Sequence, residues 1–238
     1  MNMILDPTGQ FIKNITEQCD ITGKEILEIG CGSGRITRDL AKYARKVVAI
    51  DPDERALQVA QAGITHENVE FIRCSGESLP FAENTFDLVI YSLSLHHIPS
   101  TYMRKSLQQA VRLLREDGFL IVIEPGSEGT LIEAEERFGV GDGNERDAKE
   151  AARRVMRNLT GWNSGETVHF QTLFSFAEEK DFLENLLPEY RRKPEALIRE
   201  IGCFLQTHEE HGRIVLYADR KMNVLKRAER KLCPRGLP

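Results

Sequence analysis

The chain lacks any apolar run approaching the roughly 20 residues that a membrane-spanning helix requires. Its five cysteines, Cys19, Cys31, Cys74, Cys203 and Cys233, form no CxxC pair and no Cys–His cluster at zinc spacing. A disulfide framework and a structural zinc site are therefore not expected; free thiols in a reducing cytoplasm are. The start, MNMILDPTGQ, shows no basic stretch followed by an apolar one, so no secretory signal is expected and a cytoplasmic location follows by default. A basic surplus is missing too. Thirty-two Lys and Arg against 37 Asp and Glu leave a net charge of −5, which disfavours nucleic acid as a partner. What is present is ordinary for a globular domain: 41% hydrophobic and 29% charged residues. At 238 residues the core can be large without any covalent staple.

Short apolar runs recur along the first half, at Glu25–Ile29, Lys46–Ile50, Val69–Arg73, Phe86–Ser92 and Phe119–Glu124. Their β-branched content without polar alternation suits parallel strands buried on both faces. Amphipathic stretches separate them, including Gly34–Tyr43 and Tyr102–Leu114, and Asp117-Gly118 reads as the stop before the fifth strand. Strand and helix alternating in this way predict a doubly wound α/β fold of three layers, α/β/α. After Pro125 the pattern changes: 127–158 is charged and helix-prone but broken by Gly139, Gly141 and Gly143. Two further strands, His169–Phe174 and Arg213–Tyr217, and two helices, Ala177–Leu187 and Pro194–Leu205, are expected beyond it. No repeat or linker divides the chain, so 1–238 reads as one domain. Within it, 24–125 is the ligand-binding half, about 126–165 a helical insert or lid, 166–220 the last strands and helices, and 221–238 a basic tail expected to be a solvated helix.

The informative segment is Ile26-Leu27-Glu28-Ile29-Gly30-Cys31-Gly32-Ser33-Gly34-Arg35, a strand running into three alternate glycines and then a helix. Such glycines permit positive φ and close approach of a ligand to the backbone. The dinucleotide fingerprint GxGxxG would place its third glycine at position 35, where this chain has Arg35. Glu28, two residues before the first glycine, would repel a pyrophosphate and suits a ligand bearing an ammonium group. An amino acid joined to a nucleoside is thus a better fit than a dinucleotide. The next strand ends in Ile50-Asp51-Pro52; a carboxylate at that tip is placed to accept both hydrogen bonds of a ribose diol, or else to cap the helix near Asp53.

These residues resemble the motifs of class I S-adenosylmethionine-dependent methyltransferases, in particular the quinone-biosynthesis (type 11) branch. Besides the Glu28–Gly34 loop and Asp51, Cys74-Ser75-Gly76-Glu77-Ser78-Leu79-Pro80-Phe81 is similar to the family's adenine-side segment. Phe86–Ile90 followed by Leu95-His96-His97-Ile98 resembles its fourth strand and loop, and Leu113–Phe119 its turn into the fifth strand. The resemblance runs from about Lys24 to Pro125. It implies a Rossmann-like sheet of seven strands, strands 1–6 parallel and strand 7 antiparallel. It also implies S-adenosylmethionine as donor and S-adenosylhomocysteine as product. The donor residues would be Glu28, Gly30, Cys31, Gly32, Gly34, Asp51, Pro52, Ser75, Gly76, Glu77 and Ser92. Ser75 departs from the family's frequent Asp, and its hydroxyl reaches less far toward an adenine amino group.

Methyl transfer from a sulfonium is an in-line displacement at carbon, so alignment supplies most of the acceleration and no metal is expected. A base is needed only if the acceptor must lose a proton. His97, and beside it His96, are the candidates, although the pair could equally shape the loop. His208-Glu209-Glu210-His211 lacks HExxH spacing and reads as an exposed turn, and Trp162, Phe170, Phe174 and Phe176 read as core before they read as a substrate pocket. The expected activity is methylation of a small molecule. An RNA or protein methyltransferase, a non-catalytic S-adenosylmethionine-binding module and a nicotinamide dehydrogenase are the competing readings. Acceptor and oligomeric state are not legible.

Overall fold

A computed structural model describes residues 3–141 and 143–228. The strands are β1 (Ile4–Leu5), β2 (Glu25–Ile29), β3 (Lys46–Asp51), β4 (Val69–Arg73), β5 (Phe86–Ser92), β6 (Leu114–Pro125), β7 (Trp162–Asn163), β8 (Val168–Phe176), β9 (Glu209–Glu210) and β10 (Arg213–Arg227). The helices are α1 (Gln10–Gln18), α2 (Arg35–Leu40), α3 (Glu54–Gly63), α4 (Ser100–Arg112), α5 (Thr130–Phe138), α6 (Arg146–Arg157), α7 (Glu179–Leu186) and α8 (Glu195–Gln206). A 3-10 turn at Leu95–His97 follows β5.

The sheet runs β1-β8-β10-β6-β5-β2-β3-β4, with β7 and β9 attached to β10. Strands β2 to β6 are mutually parallel. β10 is antiparallel to both β6 and β8, so β8 points the same way as the parallel set. The expected seven strands are thus all there, six in one direction and one against them. The sheet nevertheless has ten strands, because β1, β7 and β9, each of two residues, extend it. Such short pieces carry too little periodicity to be read from sequence.

Two other expectations need correction. The basic tail, 221–238, is expected to be a solvated helix, but its first part, to Arg227, continues β10 and pairs with β6, β7 and β8. Lys and Arg along this stretch mask Met222, Asn223 and Leu225, which are buried. Residues 229–238 lie outside the described residues. Asp117-Gly118 is not a helix stop: α4 ends at Arg112, β6 begins at Leu114, and the two residues sit where the β5–β6 register shifts. Such an irregularity bends a strand without ending it.

Both sheet faces are packed. α4 follows Pro99 and turns Met103, Ser106, Leu107 and Ala110 inward, the i, i+3, i+4, i+7 pattern of one buried stripe. Leu107, fully buried, contributes about 2 kcal/mol by leaving water. With Leu27, Val89, Tyr91 and Met156 these side chains form one apolar layer. Phe11, Ile15, Ile26, Ile36 and Leu40 form the opposite one. Phe174, Phe176 and Phe182 belong to a third cluster beneath α5 and α8, Phe170 is core of the second, and Trp162 is partly buried. No helix among the described residues is long and apolar enough to cross a membrane.

Candidate functional site

The chain path reverses between β2 and β5: β3 and β4 lie on one side, β6 on the other. Open parallel sheets bind ligands at the carboxyl ends of the strands at this point. The glycine loop after β2 and the Ser92-Leu93-Ser94 loop after β5 meet here, and a cavity of about 680 Å³ opens above them. Every residue that the sequence assigns to the donor lines this cavity except Gly34, which is packed behind it.

Gly30, Gly32 and Gly34 all have positive φ, 76°, 53° and 79°, but their surroundings differ. A Cβ on Gly30 would lie 2.3 Å from Ser94 Cβ, and one on Gly34 2.6 Å from Ile64 Cδ1. Around Gly32 a Cβ would meet nothing within 4 Å. Gly30 and Gly34 are therefore small because the protein packs against them, while Gly32 leaves room on the cavity side.

Asp51 ties this loop to the second strand. Its Oδ2 accepts from Gly32 N–H at 2.8 Å and its Oδ1 from Asp53 N–H at 2.8 Å. The cap of α3 is Asp53, which accepts from Arg55 N–H, so Asp51 is not spent as a helix cap. Each of its oxygens keeps acceptor capacity, and the residue lines the cavity.

Glu28 sits deeper, with no exposed surface. Its Oε1 accepts from the Ser92 hydroxyl and its Oε2 from the Thr37 hydroxyl, each at 2.6 Å. Burial pushes its carboxyl up to about 7; the two hydroxyls and the Arg35 charge pull the other way. Burial also pushes the Cys31 thiol up, assisted by the charges of Glu28 and Asp51, so Cys31 is a neutral wall. On the far wall Ser75 Oγ accepts from Glu77 N–H at 3.2 Å and so folds its own turn. The Ser106 hydroxyl donates to Gly76 C=O at 2.6 Å and also contacts Tyr91 Oη at 2.7 Å, fixing this segment against α4 and β5.

Residues 27–122 match the family model described as "Methyltransferase domain". A demethylmenaquinone methyltransferase of Lactococcus lactis is 32% identical over 118 residues, 47% of this chain and 46% of that protein. The ubiquinone/menaquinone biosynthesis C-methyltransferase UbiE of Wigglesworthia glossinidia brevipalpis is 31% identical over 121 residues, 47% and 48% of the two chains. The solved structure of the YcgJ protein of Bacillus subtilis superposes with a TM-score of 0.60 at 17% identity, over 93% of this chain and 98% of that one, and shows the shared fold. Residues 27–122 are thus similar to the S-adenosylmethionine-dependent methyltransferase domains of the type 11 branch. The chain spans about half the length of the curated relatives it matches.

The residues lining the cavity fit S-adenosylmethionine. Gly32 leaves open backbone, Asp51 offers paired acceptors at the second-strand tip, and Glu28 puts a carboxylate beneath the loop. The two histidines differ sharply. His97 has a half-exposed side chain and lines the donor cavity. His96 is buried, and its Nδ1 lies 2.6 Å from Glu124 Oε2. Glu145, just before α6, reaches both rings, 3.3 Å from His96 Nε2 and 3.4 Å from His97 Nδ1. The 3.3 Å approach misses hydrogen-bond alignment, which leaves both atoms without a partner. His208 and His211 take no part: His208 turns back to the Phe204 carbonyl and the pair flanks an exposed two-residue strand.

Thr37, Ser94, Glu124 and Glu145 were not legible as site residues. Ser92-Leu93-Ser94 carried the one available signal, two hydroxyls flanking a strand end. Leu93, at φ 60°, holds the strained turn that aims both serines inward.

Proposed function

We propose that the protein transfers a methyl group from S-adenosylmethionine to a small-molecule acceptor. The observation that carries this reading is the cavity in which open Gly32 backbone, the Asp51 carboxylate and buried Glu28 face one ligand volume. When bound, the donor supplies a methyl already activated by a positive sulfur. The protein's work is then to hold, align and dry the reacting atoms. Asp51 accepts from the ribose hydroxyls while its own backbone bonds keep it rigid. Binding of the cationic donor would draw Glu28 into its ionised form, which favours the donor over its neutral product. Adenine rests on the Ser75–Glu77 segment, where backbone groups replace the absent acidic side chain.

His97 is the residue placed to take a proton from an acceptor, with Glu145 beside its ring to stabilise the imidazolium. Changing His97 to Gln is expected to lower turnover about 100-fold while leaving S-adenosylhomocysteine affinity within twofold. Equal losses in both would make His97 a donor-binding residue instead.

The relatives' names point to quinone methylation, but they are matched over only about half of this chain, and the family model ends at residue 122. The test is S-adenosylhomocysteine formation with cell extract divided into a low-molecular-weight fraction and a macromolecular one. Turnover confined to the small-molecule fraction supports the reading. Turnover abolished by nuclease or protease treatment of the extract refutes it.

A further inference from the structure

A second cavity, of about 440 Å³, lies across Arg35 and Leu93, which line both it and the donor cavity. Three cations face it: Arg35 from α2, Lys149 from α6 and Arg220 from β10. Glu135 lies 3.8 Å from Lys149 Nζ and offsets that charge. The two guanidiniums have no such partner. Among the described residues neither forms an ion pair with a carboxylate. Arg35 has a buried Nη1 with no hydrogen-bond partner, and Arg220 donates through Nε alone, to Thr172 Oγ1 at 2.9 Å.

Phe11 lies beside both, its ring centre 4.7 Å from the Arg35 guanidinium carbon and 5.9 Å from that of Arg220. Burial draws Arg220 down to about 10, and the Arg35 charge pushes the same way. Asp6 offsets both charges, Glu28 that of Arg35, and Glu135 and Asp219 that of Arg220, but only from beyond ion-pair distance. Two like charges buried this way are costly, and a group that pairs with them directly binds well. Leu93, Leu131, Phe174 and Leu186 supply the apolar part of the wall, beside the polar His96 and Asn185.

We infer that this second cavity is the acceptor site and that its ligand is a compact apolar molecule carrying a carboxylate, held between Arg35 and Arg220. A planar guanidinium offers paired N–H groups that match a carboxylate's two oxygens. The shared wall at Leu93 would place the acceptor beside the donor's reactive end, and His96 lines the same cavity. An uncharged isoprenoid quinone would leave both arginines unpaired. This inference rests on the methyl-transfer reading and adds the acceptor's charge and class.

The test is calorimetric titration of the full chain with 3-phenylpropanoate, its neutral amide and inorganic phosphate, with and without saturating S-adenosylhomocysteine, repeated on Arg220→Met. The acid is expected to bind at least tenfold more tightly than the amide, and the variant to lose that preference while melting no lower than the wild type. Equal affinity for acid and amide overturns the inference. So does phosphate displacing the acid at the lower concentration, or an unchanged preference in the variant. The wild-type comparison stands alone if the variant fails to fold. A failed donor reading shows separately, as no S-adenosylhomocysteine binding, whereas a failed pocket shows as donor binding without acid preference.

Discussion

Gly30 and Gly32 show how two identical residues in one motif do different work. Gly30→Ala puts a methyl against Ser94, so the expected result is a fall of several degrees in Tm. Gly32→Ala meets open space and costs only the φ penalty, about 1–2 kcal/mol. Its methyl would instead occupy ligand volume, so S-adenosylhomocysteine affinity should fall much more than stability does. Melting curves and titrations on the two variants separate these outcomes; equal losses of affinity with stability intact would contradict the assignment. Glu28 gives a pH prediction. Its carboxyl moves from 4.5 to about 7 on folding, so the folded state holds the extra proton and stability falls as pH rises from about 4.5 to 7. Glu28→Gln removes this term, on the order of 3 kcal/mol at neutral pH. The variant's Tm advantage should therefore grow between pH 5 and 7.5 and be flat above that; a pH-independent difference would show that Glu28 is not buried as a neutral acid.

At the scale of elements, the Ser106 hydroxyl joins α4, β5 and the Gly76 segment through two short hydrogen bonds. Ser106→Ala leaves the Tyr91 hydroxyl buried without a partner, at a cost of about 1–3 kcal/mol, whereas Tyr91→Phe removes that orphan. The double variant should therefore cost less than the two singles summed; strict additivity in denaturant melts would mean that the relay carries no coupling. β2 and β5 were legible to the residue, because both their faces are buried and their apolar runs end abruptly at glycine or serine. β4, a half-exposed edge strand, was legible because its run stops at Arg73. β10 was not, since half of its fifteen residues look like a solvated basic tail. What hides it is long-range pairing: Met222 lies opposite Ile123 and Val168, contacts that no local window contains. The glycine loop was legible for the opposite reason, being contiguous in sequence. Arg35 with Arg220, and His96 with Glu124 and Glu145, are assembled only by the fold.

For the whole molecule, β2, β5 and β6 are the centre of the sheet, paired on both edges and covered on both faces, while β4 and β1 are its ends. Their amides should exchange last, at the global unfolding free energy, and those of β4 and β1 early. Hydrogen exchange in which β4 outlasts β5 would contradict this order of stability. The same arrangement sets the functional division: loops after β2, β3 and β5 build the donor cavity, while α5, α6, β8 and β10 enclose the second one. The family match, 27–122, spans the loops of the first cavity, whereas α5, α6, β8 and β10 lie beyond it.

The central claim is tested most directly by calorimetric titration with S-adenosylhomocysteine, on the wild type and on Asp51→Ala. Asp51 holds Gly32 and lines the cavity, so micromolar binding by the wild type and a loss of at least 100-fold in the variant are expected. Absence of binding by the wild type, or equal binding by both proteins, would contradict it.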